Sequence, residues 1–301
     1  MALEQFVVLV IPDVPATGRS CPSCGVGLLG RYCAECGERA TGRADLRVRA
    51  FLEDALYELA NADSRIWRSV RSLFLQPGYL SEEYLAGRRR PWLGPVQLFL
   101  ICNVTFFLLL HFLPLHVFTT RLSDHLFAHP YGRWILGMEA RPGVTFRALV
   151  QDQEAFRAYA NTFNTVTAGP AKSLIILMIP GVALLLHVLH ATRRRYFVEH
   201  LVFATHLFAV VVMAIVVALI TAVGIRRVLL FLDVRFPGSD DSLFMLVLLG
   251  LVVPWLLPGL RRFYRQSWSM AAIKVPLFII GLQLVLVAYR LMLFLLTVRL
   301  I

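Results

Sequence analysis

From Pro95 onward, apolar residues run in long blocks separated by short basic or polar breaks. A transmembrane helix needs roughly 17–25 predominantly apolar residues. Five blocks qualify, at about 95–117, 172–192, 200–224, 242–260 and 273–298. Upstream the pattern changes. Residues 1–42 are polar and rich in Gly and Cys, with no helical period. Leu46, Phe51, Leu52, Ala55, Leu56 and Leu59 then recur at steps of three and four, which predicts a helix. Asn61–Asp63 breaks it, and Asp63 or Ser64 can cap the next. That helix carries Ile66, Trp67, Val70, Leu73 and Phe74 on one face, with Arg65, Arg68 and Arg71 beside them, and Pro77-Gly78 stops it. A third short helix, Ser81 to Ala86, ends at Gly87 and the run Arg88–Arg90. Amphipathic helices of this kind just before a span read as helices lying on the bilayer face. A helical hairpin packing on itself or on the spans is the equal alternative. Between the first two spans lies a long outward loop, 118–170. Within it Val144–Val150, Phe156, Tyr159 and Phe163 predict an amphipathic helix on the outer surface. Arg226–Gly238 is too short to span and is placed at the outer interface.

Composition agrees with the pattern. Of 301 residues, 58% are hydrophobic and 16% charged, against roughly 45–50% and about 25% in ordinary globular chains. Mean hydropathy is +0.67. The fold class expected is therefore an all-α integral membrane protein of about five spans. A net charge of +11 would suggest nucleic acid in a soluble domain. Here residues 1–90 are nearly balanced, with twelve Arg against eleven acids, and the excess sits beside the apolar blocks. Nucleic acid is thus disfavoured, and the lipid bilayer is the expected partner. Arg88, Arg89 and Arg90 precede the first span, Arg193, Arg194 and Arg195 follow the second, and Arg261, Arg262 and Arg265 follow the fourth. All three clusters fall on the cytosolic side if the N-terminus does. The first fifteen residues lack the basic start and long apolar core of a signal peptide. The N-terminal region is expected in the cytosol, where disulfides are disfavoured.

The cysteines then matter. Cys21, Cys24, Cys33 and Cys36 are spaced Cys-x2-Cys-x8-Cys-x2-Cys, with Gly25 and Gly37 each following a second cysteine. Each CxxC forms a turn aiming two thiolates at one point, and two such turns make a closed tetrahedral site, the structural zinc arrangement. Iron is the minor alternative, since tetrahedral sulfur suits both metals. A closed site has no open coordination position, so the metal is structural. Cys102 reads as a small buried apolar residue.

Two other polar features stand out near lipid. Glu199, His200 and His206 open the third span, with His187 and His190 closing the second. Glu199 and His206 share a helix face, whereas the two histidines His200 and His206 sit about 120° apart. Such groups could converge on a metal or proton-transfer site, though interfacial histidines also serve as amphipathic rings. Arg290 lies inside the last span, where an ionisable residue is costly. Pairing with Glu199, a lipid phosphate, or snorkelling to the surface would each accommodate it. Ser123-Asp124-His125 is set aside as a triad, because three neighbours cannot align.

The order of features, CxxC…YCAECGE, then RIWRSVRSLFLQPGYLSEEYLAGRRRPWLGP, then EHLVFATHLFA, resembles the bacterial membrane family known as domain of unknown function 3667. The resemblance is close over 21–113, with Pro77-Gly78, Gly87-Arg88-Arg89 and Pro95 at the family's positions. Glu38 departs from it, standing where Gln is usual. The resemblance implies architecture and no activity. The expected function is a scaffold in the bacterial inner membrane, with a zinc ribbon docking a cytosolic protein and an enzyme less favoured. The rival is a transporter or enzyme acting on a lipid or small solute through Glu199, His200 and His206. Oligomeric state is left open.

Overall fold

The computed structural model describes residues 20–28, 30, 32–38, 65–111, 120–234 and 239–301. The helix expected over 45–59 lies outside them. After the ribbon come α1 (Ile66–Leu75), α2 (Tyr79–Leu85) and α3 (Pro95–His111). The segment between the first two expected spans holds α4 (Leu122–Phe127), α5 (Gly132–Ile135) and an antiparallel hairpin of β1 (Glu139–Arg141) and β2 (Val144–Thr145). It continues through α6 (Phe146–Gln151) into α7 (Gln153–Ser173). Then follow α8 (Met178–Leu189), α9 (Phe197–Phe231), α10 (Asp240–Phe263) and α11 (Trp268–Leu300).

Among the described residues, three helices are long and apolar enough to cross a membrane: α9, α10 from Ser242, and α11. The α7–α8 pair, bent by 65°, makes a fourth if it is counted as one broken span, and α3 is a shorter apolar helix. A 3₁₀ turn, Leu174–Leu177, lies between the two helices and takes up the change of direction.

α9 is the central helix, packing on α3, α8 and α10. Ala204, Ala209 and Ala218 are fully buried along it. Small side chains let neighbouring backbones approach closely, which supplies the packing that lipid cannot drive. At 35 residues it is about 52 Å long at 1.5 Å per residue, well beyond the roughly 30 Å of hydrocarbon. Arg226 and Arg227, expected in an interfacial connection, are therefore in the last turns of this helix. Arginine is a good helix former, and beyond the hydrocarbon its charge can meet water.

α11 overruns in the same way, and its surplus carries a second core. Leu122, Leu126, Ile135, Phe146, Leu149, Tyr159 and Phe163 close around Phe294 of α11. The stretch expected as a loop with one amphipathic helix is thus a small folded unit. Its helices start where the chain offers caps: Thr145 Oγ1 accepts the Ala148 N–H, and Asp152 Oδ1 accepts those of Glu154 and Ala155.

His125 lies inside this unit, fully buried. Its Nδ1 is hydrogen-bonded to the Tyr131 hydroxyl at 2.9 Å, and its ring packs on Phe163 and Phe294. Burial, reinforced by His129 and Arg290, pushes its pKa down to about 3. The folded unit therefore holds the ring neutral, whereas the unfolded chain takes up a proton near pH 6.5. Its stabilising contribution is full above that pH and is lost as pH falls from about 6.5 towards 3, by at most ~1.4 kcal/mol per pH unit. Chemical unfolding followed by hydrogen exchange at Phe146 and Leu149 should show that slope, and His125→Phe should flatten it. An unaltered slope in the variant would rule His125 out as its source.

Candidate metal centre

The two cysteine turns repeat one another bond for bond. The Gly25 N–H donates to the Cys21 carbonyl at 2.9 Å, and the Cys21 N–H to the Val26 carbonyl at 2.7 Å. In the second turn Gly37 donates to Cys33 at 2.8 Å, and Cys33 to Glu38 at 2.7 Å. Closing each turn needs a left-handed residue after the second cysteine, and the two glycines sit at φ 79° and 68°. The four Sγ atoms consequently lie within 4.8 Å of one another, with Cys21–Cys36 and Cys24–Cys33 each at 3.5 Å. A tetrahedral ion with bonds near 2.3 Å sets its sulfurs about 3.8 Å apart, so the quartet fits one ion with little adjustment. The backbone N–H of Cys36 leads the groups that hold the Cys33 thiol down, at about 7, whereas burial and the neighbouring thiols push Cys24 and Cys36 up. Among the described residues this is the one His, Cys, Asp or Glu group whose ligand atoms converge. Among the described residues, Cys21, Leu28 and Cys33 form its buried apolar core.

The ribbon has a seat. Glu38, buried, accepts from Ser23 Oγ at 2.6 Å and from the backbone N–H of Arg90 at 3.0 Å. Arg65 Nη1 donates to the Arg90 carbonyl at 2.9 Å. Arg88 pairs with Glu83, its Nε donating to Oε2 at 2.7 Å and holding that carboxyl below its usual range. Arg89 lies over the Tyr84 ring. Glu38→Ala should leave the metal in place while the Arg90 amide exchanges several-fold faster; unchanged exchange would mean that the seat does not depend on Glu38.

Beneath the seat, α1 and α2 pack on the spans, the second of the two arrangements expected. Ser69 Oγ accepts the Leu93 N–H at 2.8 Å, Trp255 Nε1 donates to the Leu73 carbonyl at 2.7 Å, and Arg262 Nε meets Glu82 at 2.7 Å. Ser81 Oγ and His206 Nδ1 are 2.8 Å apart, both buried. Residues 63–107 match the family model described as Protein of unknown function (DUF3667). The DUF3667 match thus covers this cap and most of α3, and stops short of the cysteine ribbon. No curated protein and no solved structure matches the chain.

The expected Glu/His group divides in two. His206 belongs to the cap. His200 Nδ1 is hydrogen-bonded to the Tyr264 hydroxyl at 2.7 Å, His190 stacks on the Tyr264 ring with centroids 3.5 Å apart, and His187 meets His200 edge to face. Glu199 accepts from Arg195 at 2.6 Å and from the Tyr196 N–H at 3.2 Å, capping α9. Arg195 also donates to the Phe263 carbonyl, while Arg193 and Arg194 are exposed on the connection. Tyr264, the hub, had no signal in the sequence beyond its place among Arg261, Arg262 and Arg265. Arg290 has no part in this group. It lies within 3.5 Å of His129 in the folded unit around Phe294.

Proposed function

We propose that the protein is a scaffold of the bacterial inner membrane whose zinc ribbon, on the cytosolic side, docks a protein partner. One observation carries this reading. The ribbon is clamped to the cap through Glu38, while Val26 and Tyr32 are left 47% and 64% exposed. A clamped module with free apolar side chains is a surface offered to something else. Zinc suits the quartet because four thiolates close its coordination, so the metal holds shape and leaves no site for chemistry. The three arginine clusters support a cytosolic placement of the ribbon. Placing a photo-crosslinking residue at Tyr32 tests the reading in cells. A discrete adduct that vanishes in Cys33→Ser and persists in His200→Ala is expected. An adduct indifferent to Cys33, or none, overturns it.

A second reading has one observation in its favour. His187 Nδ1 and His190 Nε2 are buried without hydrogen-bond partners, and buried polar atoms ordinarily have them. A transporter or enzyme acting on a lipid or small solute would use this group, His200 included. It requires that His200→Ala abolish the cellular phenotype while insertion and metal content stay normal.

A further inference from the structure

Arg290 is 22 residues along α11 from Trp268, about 33 Å at 1.5 Å per residue. Trp268 follows the Arg261–Arg265 turn, whose Arg262 is bonded to the cap. Roughly 30 Å of hydrocarbon measured from there ends just before Arg290, at the far face of the bundle. The side chain meets the folded unit around Phe294 there. Its Nη1 lies 3.5 Å from His129 Nε2, and His129 lines a cleft of about 470 Å³ with Leu126, Phe127, Ala128, Pro130 and Arg133. Among the described residues no carboxylate forms an ion pair with Arg290 or Arg133. Asp124, whose field reaches His129, accepts instead from Ser123 Oγ. His129 and Arg133 thus line one cleft with no acid among its lining residues, and the Arg290 guanidinium stands beside His129, an arrangement that an anion completes.

We propose that this cleft, lined by His129 and Arg133 and with Arg290 beside His129, binds the phosphate of an anionic lipid headgroup in the leaflet distal to the ribbon. A lipid is preferred to free phosphate because Phe127 and Trp134 stand 62% and 56% exposed on the same turn. Aromatic side chains at the edge of the hydrocarbon are the usual interfacial anchors, and a soluble anion gives them no reason to be bare. The turn is built tightly. A Cβ on Gly132 would stand 2.1 Å from the Leu126 carbonyl oxygen, so only glycine fits there. This inference is independent of the docking reading and concerns the opposite face.

The test uses the full chain in neutral detergent, offered phosphatidylglycerol or phosphatidylcholine and read by native mass spectrometry. Wild type should retain phosphatidylglycerol preferentially, and Arg290→Gln and Arg133→Gln should each weaken retention about tenfold, as loss of a charge-assisted contact does. Arg157→Gln, exposed on α7 away from the cleft, should change nothing. Equal retention by both cleft variants overturns the proposal. Displacement of the lipid by millimolar inorganic phosphate would make the free anion the ligand and overturn it too. Should Arg290→Gln fail to fold, Arg133→Gln decides alone, since that side chain is exposed. Crosslinking at Tyr32 should be the same in every variant.

Discussion

Cys33→Ser is expected to empty the metal site and unfold the ribbon in one step, with metal content falling from one equivalent per chain to none. The size of the effect follows from how little else holds the ribbon. Among the described residues its buried apolar core is Cys21, Leu28 and Cys33, with Cys36 packed beside them. Three residues cannot offset the conformational entropy of ordering this stretch of chain. Structural zinc contributes about 10–16 kcal/mol in domains of this kind, and that binding energy is the folding energy. Removing one thiolate leaves no partly folded alternative. Glu38 stands directly after Gly37, so its carboxylate keeps its place on the Arg90 amide only while the second turn is closed. Loss of metal should therefore speed exchange at Arg90, as Glu38→Ala does, whereas the bundle, whose core shares no residue with the ribbon, should keep its thermal transition. Metal analysis and amide exchange on the same sample check both halves. A stoichiometric metal in the variant would show that the cysteines are not its ligands.

What the sequence made legible depended on how local the physics was. Each cysteine turn is settled within six residues by spacing and by a glycine, and the structure has the quartet converging as the spacing requires. Apolar blocks marked the membrane helices because lipid demands apolarity along a whole segment. Their ends were less visible. Nothing in a hydropathy pattern says that α9 continues through Arg226 and Arg227, since once outside lipid a helix no longer needs apolar residues. The folded unit around Phe294 was hidden for a related reason. Its core combines short helices and a hairpin with a residue more than a hundred positions later, and no periodic signal spans that distance. Tyr264 is the sharpest case. Its partners come from the end of α8 (His190) and from α9 (His200), and only the packing of α8 and α10 on the central α9 brings them to it. Arg290 was marked as costly inside a span, yet α11, at 33 residues, is longer than the bilayer is thick, so part of it can lie outside the hydrocarbon.

Gly78→Val should lift the cap from the bundle, with a loss of about 2–5 kcal/mol from backbone strain and overpacking together. Gly78 holds φ at +77°, a conformation that a β-branched residue rarely adopts. A Cβ there would stand 2.9 Å from the Gly259 carbonyl oxygen of α10, and a helical carbonyl cannot swing aside as a flexible side chain would. The strain falls at the start of α2, which carries Ser81 to His206 and Glu82 to Arg262. Moving α2 also pulls on α1, whose Leu73 carbonyl receives the Trp255 indole. Unfolding in mixed micelles should measure the loss, and Trp255 emission should shift to the red once its indole N–H meets water. Gly250→Ala is the control, because it lies in the same α10 helix with nothing within 4 Å of an added Cβ. There alanine should be neutral or slightly stabilising. Equal losses at the two positions would mean that the cap is not held by the approach of Gly78 to Gly259. A selective loss at Gly78 would give the Pro77-Gly78 pair within the DUF3667 match a physical reason: it is where the cap meets the membrane helices too closely for any side chain.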